Sequence, residues 1–149
     1  MAESYPAQLA WHGNTLEPDY SRSAELSKPA GLAAIPVSSL PMFGGTAERW
    51  NPEDLLAGTL AHCHMLTFLA LAAKARVEVH AYSDQAESSL VTEERISRVG
   101  EILLQPTIRV AAGTEVAKVE ELFRKAHKYC VIANSVTSKV VMEPNVIEG

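Results

Sequence analysis

A run of nineteen residues without a formally charged side chain, from Leu55 to Ala73, limits the fold of this chain more than any other feature. It reads LLAGTLAHCHMLTFLALAA, about the length at which a helix spans a bilayer. Two histidines, His62 and His64, lie near its centre, where polar groups are costly in hydrocarbon, and Trp50 has no aromatic counterpart at the far end. A helix that is apolar on nearly all sides is otherwise enclosed by its own protein. We therefore expect the core helix of an α+β domain, or a helix at a subunit contact, and not a membrane span.

The start of this helix is marked by residues that favour a helix amino terminus. Asn51 can cap the helix, and Pro52 suits its first position. The acidic side chains of Glu53 and Asp54 complement the positive end of the helix dipole. The sequence therefore predicts a helix that begins directly after Asn51.

The rest of the chain alternates between strand and helix patterns. Alternating or apolar strand patterns fall at residues 5–11, 20–26, 33–37, 77–82, 99–110 and 136–142. The first two flank a turn sequence and predict a hairpin, whereas the third lies in a Pro- and Gly-rich loop from Lys28 to Glu48. Pro106 indicates that the strand at 99–110 is an edge strand or carries a bulge. Apolar residues from Val116 to Cys130 at helical spacing predict a second, amphipathic helix.

Composition narrows the class of protein and its partners. The 149 residues, 47% of them apolar and 21% charged, fit one domain that spans residues 1–149. The formal net charge of -5 has the wrong sign for a protein that binds nucleic acid or anionic lipid. The amino-terminal segment lacks a basic stretch followed by an apolar one, so we expect a cytoplasmic protein whose two cysteines are thiols.

The two cysteines are the candidate reactive residues. Cys63 lies in the middle of the apolar helix, and Cys130 lies near the carboxyl end of the amphipathic helix, on the stripe expected to face inward. A buried cysteine often serves as a small apolar side chain, whereas a nucleophilic one must be a thiolate with a cation nearby. Arg49 and Glu53, at the entrance to the first helix, would form a positioned pair that carries such a cation. The residues alone leave open a reactive pair and an inert buried pair.

Two sequence blocks resemble the OsmC/Ohr family of thiol-dependent hydroperoxide reductases. They are NPEDLLAGTLAHCHML, from Asn51 to Leu66, and AHKYCVIANSV, from Ala126 to Val136. Both stand in the family's order, and the pattern of strands and helices around them is similar over most of the chain. The resemblance implies an α+β fold in which antiparallel sheets wrap around two central helices, and an intertwined homodimer.

The resemblance also implies a role for each candidate residue. Cys63 would be the peroxidatic cysteine, Cys130 the resolving cysteine, and Glu53 the carboxylate that holds an activating arginine. Arg49 fits the OsmC-like placement of that arginine, and Arg22 is the rival in an Ohr-like arrangement. We favour Arg49.

The implied reaction reduces an organic hydroperoxide to its alcohol through a Cys63 sulfenic acid and a Cys63–Cys130 disulfide. The chain contains no C-x-x-C motif and would bind no cofactor, so an external dithiol must reopen the disulfide. The resemblance suggests dihydrolipoamide or a lipoylated protein as that reductant. Apolar residues expected along the substrate approach are Phe43, Met65, Leu66 and Phe68.

Two other functions remain open at the level of sequence. His127 and Cys130 have the i, i+3 spacing that can hold one metal ion, and Cys63 with Glu53 could complete four ligands. Alternatively, the chain is a non-catalytic dimeric scaffold or ligand-binding protein with inert core cysteines.

Overall fold

The computed structural model describes residues 3–14, 16–29 and 31–149. Four residues lie outside the described part of the chain: Met1, Ala2, Thr15 and Ala30. Of these, Ala30 belongs to the predicted loop from Lys28 to Glu48. The chain divides into two compact units, Met1–Leu55 and Leu56–Gly149. Helix α1, Pro52–Lys74, begins in the first unit and continues in the second.

The first unit is built on a three-stranded antiparallel sheet in the order β1-β2-β3. Its strands are β1 Gln8–Ala10, β2 Ala24–Ser27 and β3 Ile35–Val37. Leu9 lies opposite Leu26, so the predicted pairing of the first two strands is confirmed, although both strands are shorter than predicted. In the connection between them, the rings of Trp11 and Tyr20 meet edge to face with centroids 6.3 Å apart. The short third strand also lies where the sequence predicts it.

Helix α1 begins where its capping residues predict. The Asn51 Oδ1 atom accepts a hydrogen bond from the Asp54 backbone N–H at 2.8 Å, and the Asn51 amide donates to the Asp54 carboxylate at 2.8 Å. This satisfies one of the four backbone donors that a helix start leaves unpaired. The capping prediction is therefore confirmed.

One face of α1 is buried. Its buried residues recur every three or four positions, as one side of a helix requires, and are Ala57, Leu60, His64, Phe68 and Ala72. Elsewhere on the helix Leu66 is 52% exposed. Within the described residues α1 is the one helix long and apolar enough to cross a membrane by length and composition. The expectation of a helix enclosed on most sides is met on this one face only.

The second unit contains two three-stranded sheets, in the orders β4-β7-β9 and β5-β6-β8. Their strands are β4 Val79–Asp84, β5 Glu87–Glu93, β6 Ile96–Leu104, β7 Pro106–Val110, β8 Lys139–Met142 and β9 Asn145–Glu148. The β6–β8 and β7–β9 pairs are parallel, and the other two pairs are antiparallel. The α+β class is confirmed, with mixed sheets in this unit.

The prediction of one strand over residues 99–110 is wrong. The chain leaves β6 after Leu104 and enters β7 of the other sheet at Pro106, and the Gln105 N–H between them donates to Asp84 at 2.8 Å. Apolar alternation continues through the break because both strands face the same core, so the pattern did not reveal it. The polar turn predicted between residues 82 and 99 contains strand β5. The sequence of β5, ESSLVTE, has too few apolar residues to indicate a strand.

Helix α2, Val116–Tyr129, confirms the predicted amphipathic helix. Its buried residues are Val119, Phe123 and Ala126. They join the α1 face and the inward residues of β6 and β7 in one apolar core, and those strand residues are Ile102, Leu104, Ile108 and Val110. This core fixes the two cysteine-bearing helices against each other.

Candidate thiol site

The structure brings the two cysteines together although sixty-seven positions separate them in sequence. Cys63 is half-buried on α1, and Cys130 is fully buried directly after α2. The Cys63 side chain is close enough to Cys130 to raise the pKa of the Cys130 thiol. Core contacts hold the helices in this arrangement, since the rings of Phe68 on α1 and Phe123 on α2 lie 6.0 Å apart. Two neighbouring thiols on helices that pack together are candidates for a disulfide.

The chain directly after Cys130 forms a tight turn around its sulfur. The Ala133 N–H donates to Cys130 Sγ at 3.5 Å, and the Ile132 backbone amide also lowers the pKa of this thiol. The Asn134 side-chain amide donates to the Cys130 carbonyl oxygen at 2.9 Å and closes the turn. Sequence reasoning missed this role, although these residues belong to the second diagnostic block.

Two opposing influences act on the proton of Cys130. Burial, and to a smaller extent the nearby Cys63, raises the pKa of Cys130, whereas the Ala133 and Ile132 amides lower it. Burial is the largest of these effects, so Cys130 holds its proton at neutral pH. The amides are nevertheless in place to stabilise negative charge that develops on this sulfur.

Two histidines adjoin the thiol pair in the sequence and contact each other across the helices. His64, the residue after Cys63, is fully buried, 4.4 Å from the Phe123 ring and 6.4 Å from the His127 ring between centroids. Among the described residues neither ring nitrogen of His64 has a hydrogen-bond partner, nor has His127 Nδ1. Burial, and then the nearby His127, lowers the pKa of His64 to about 4. At neutral pH His64 is therefore uncharged and supplies no positive charge to a thiolate.

Both candidate arginines belong to the first unit, in different surroundings. The Arg49 Nη1 atom donates to the Ala24 carbonyl oxygen at 3.0 Å and to the Glu25 carboxylate at 3.1 Å. Arg22 lies over the Tyr20 ring, 3.8 Å from its centroid, and donates to the Tyr20 carbonyl oxygen. Each guanidinium is held in place, but Arg49 is held by an ion pair.

The remaining predicted residues have different exposures. Glu53 is half-buried in the first turn of α1. Phe43, in a short 3-10 turn of the first unit, is 48% exposed. Met65 and Leu66 lie on α1, close after Cys63. Met65 is half-buried, whereas Leu66 is 52% exposed. Phe68 is fully buried and packs against Tyr82 and Phe123 as part of the core.

The metal-binding alternative finds no support in the part of the chain that the structure describes. No group of three or more His, Cys, Asp or Glu side chains there lies close enough together to hold a metal ion.

Comparison with known proteins agrees with the fold and the order of the elements. Residues 45–145 match the family model described as OsmC-like protein. An OsmC-like protein of unknown function from Vibrio cholerae has 28% sequence identity and a TM-score of 0.85, over 96% of this chain and 99% of that one. An organic hydroperoxide resistance protein OsmC from Legionella pneumophila has 21% identity and a TM-score of 0.66, over 97% and 98%. The uncharacterized protein YmaD of Bacillus subtilis is 22% identical over 102 residues, 66% of this chain and 68% of that protein.

Proposed function

Because the chain belongs to the OsmC-like protein family, we propose that it is a cysteine-based peroxidase that reduces organic hydroperoxides to alcohols. The observation that carries this proposal is the proximity of Cys63 and Cys130 in the second unit, close enough for Cys63 to raise the pKa of Cys130. A similar structure from Legionella pneumophila is named as an organic hydroperoxide resistance protein, which supports the substrate class.

Cys63 acts first, because it is the more exposed of the two thiols. Its thiolate attacks the terminal oxygen of the hydroperoxide, the O–O bond breaks, and the departing alkoxide takes up a proton to leave as alcohol. The sulfur is oxidised to a sulfenic acid, and the peroxide gains the two electrons. Cys130, buried and protonated, stays out of this step.

Cys130 then resolves the sulfenic acid. Its sulfur attacks the Cys63 sulfur, an S–S bond forms, and the S–O bond breaks. The hydroxide leaves as water with the proton that Cys130 gives up. The Ala133 amide donates to the Cys130 sulfur, and the Ala133 and Ile132 amides, which lower the pKa of this thiol, would stabilise its charge as the proton leaves. An external dithiol, dihydrolipoamide by family resemblance, returns two electrons and reopens the disulfide.

We assign the cation that keeps Cys63 ionised to Arg49, on the resemblance. His64 does not supply this positive charge, because its pKa of about 4 leaves it uncharged at neutral pH. Arg49 carries a permanent charge and is positioned by Glu25 and the Ala24 carbonyl oxygen. The ion pair of Arg49 is with Glu25, so the role of Glu53 as the carboxylate that holds the arginine rests on the resemblance alone.

Three apolar side chains are proposed to favour organic peroxides over hydrogen peroxide. Met65 and Leu66 follow Cys63 on α1 and are at least partly accessible, and Phe43 is exposed in the first unit. Phe68 belongs to the core and serves packing.

Replacing Cys63 and replacing Cys130 should affect peroxide consumption differently. Cys63→Ser should abolish the consumption of cumene hydroperoxide with excess dithiol. Cys130→Ser should consume about one peroxide equivalent and then stop, with Cys63 trapped as a sulfenic acid that dimedone labels. Equal turnover by Cys63→Ser and wild type would overturn the proposal and favour the scaffold alternative.

The activating arginine is tested by the pH dependence of Cys63 alkylation in a Cys130→Ser background. Arg49→Ala should shift the onset of reactivity with iodoacetamide to higher pH, because the thiolate loses its cation. Arg22→Ala is the matched control. A shift in Arg22→Ala alone would contradict the choice of Arg49.

We further propose a homodimer, on the resemblance and on the apolar side of α1 that carries the half-exposed Leu66. Leu66→Lys should lower the mass measured by light scattering from that of a dimer to that of a monomer. A wild-type protein that is monomeric at micromolar concentration would refute this.

A further inference from the structure

The first unit contains an apolar cavity with one charged side chain on its wall. Its volume is about 540 Å³, within the range of small-molecule sites. The apolar wall includes Leu9, Trp11, Leu26 and Val37, and the charged residue is Arg22. All residues that line the cavity belong to the first unit.

The Arg22 guanidinium is held in a defined position at this wall. It stacks on Tyr20 at 3.8 Å from the ring centroid and donates to the Tyr20 carbonyl oxygen. On another side lies Gly44, where a Cβ atom would come within 3.0 Å of Arg22 Cζ. Gly44 has a φ of +83°, which also favours glycine. Trp11 is anchored by its indole N–H, which donates to the Ser21 carbonyl oxygen at 2.7 Å.

Arg22 has no carboxylate partner among the residues that the structure describes, whereas Arg49 in the same unit is paired with Glu25. A half-buried cation at an apolar wall loses hydration that nothing there replaces with an opposite charge. The planar fork of a guanidinium matches a carboxylate through two parallel hydrogen bonds. Arg22 is the one charged residue among the described residues of the wall. A single positive charge neutralises a carboxylate, but it would neutralise only half of the nearly two negative charges of a phosphate monoester.

We propose that this cavity binds a monocarboxylate with an apolar chain. The carboxylate would pair with Arg22, and the hydrocarbon would lie against Leu9, Leu26 and Val37 beside the Trp11 ring. Neither cysteine takes part in this binding, although Arg22 is also the rival candidate for the cation beside Cys63.

The two ends of such a ligand can be tested separately with decanoate and 1-decanol, which share a chain and differ in charge. Trp11 reports on the cavity through its fluorescence once Trp50→Phe removes the other tryptophan. Decanoate should give a saturable change and bind at least tenfold more tightly than decanol. Equal affinities, or no saturable change at millimolar decanoate, would overturn the proposal, and neither result requires a variant of Arg22.

Substitutions then locate the site. Arg22→Met should remove the preference for decanoate over decanol, and Arg49→Met, which removes the same charge elsewhere in the unit, should preserve it. Val37→Phe should weaken both ligands because it fills the cavity. A folded Arg22→Met protein, judged by circular dichroism, that keeps the tenfold preference would refute the assignment. The Cys63→Ser, Cys130→Ser double variant should bind decanoate like wild type, so failure of the peroxidase proposal would leave this result intact.

Discussion

Replacing the buried His64 by leucine should stabilise the protein and make it less sensitive to acid. Within the described residues both ring nitrogens of His64 lack a hydrogen-bond partner, although the side chain is fully buried. A buried polar group without a partner costs about 1–3 kcal/mol. Leucine occupies a similar volume against Phe123 and removes that cost. At pH 7.5 we expect His64→Leu to raise the free energy of unfolding by about 1–2 kcal/mol.

The acid sensitivity follows from the pKa of His64 in the two states. That pKa is about 4 in the folded protein and 6.5 in an unfolded chain, so between these values the unfolded state binds more protons. The stability due to neutral His64 is fully present above pH 6.5 and falls as the pH drops toward 4. Integrated from pH 7.5 to pH 5, the loss is about 2 kcal/mol, and His64→Leu should not show this part of it.

Urea denaturation at pH 7.5 and pH 5, at one protein concentration and with a reductant, measures this difference. His62→Leu is the matched control, because His62 is exposed on the same helix and should keep the wild-type pH dependence. If wild type and His64→Leu lose the same stability between the two pH values, the account of His64 as a buried neutral imidazole is refuted.

Three further changes test other parts of the structure. Asn51→Ala should lower the free energy of unfolding by about 1 kcal/mol through loss of the helix cap, and Asn51→Ser should restore most of it in the same denaturation assay. Oxidation to the Cys63–Cys130 disulfide, which closes a loop of roughly 70 residues, should stabilise the protein by about 4 kcal/mol, and oxidant should leave the stability of Cys130→Ser unchanged. Gly44→Ala should displace Arg22 and weaken decanoate binding in the Trp11 fluorescence titration, with binding equal to that of wild type as the contradicting result.

The helices could be predicted from the sequence because their signals are local. Asn51 and Pro52 mark the start of α1, and the stripe from Val116 to Ala126 marks α2. The single strand predicted over 99–110 was wrong because alternation reports which face is buried and says nothing of which sheet a strand joins.

The candidate site was only partly predictable. The resemblance indicated both cysteines, but it did not reveal the amides of the turn around Cys130, which depend on backbone geometry. The ion pair of Arg49 with Glu25 joins residues 24 positions apart through sheet pairing, and no local pattern indicates it. The burial of His64 beside Phe123 likewise follows from helix packing, since a histidine in an apolar helix can lie on either face.

The mass of the intact protein after one equivalent of cumene hydroperoxide shows whether Cys63 and Cys130 act as a redox pair. We expect the loss of two hydrogen atoms per chain, with Cys63 and Cys130 recovered in one disulfide-linked peptide pair and no crosslink between chains. Two unmodified thiols after this treatment, or a hyperoxidised Cys63 beside a free Cys130, would contradict it.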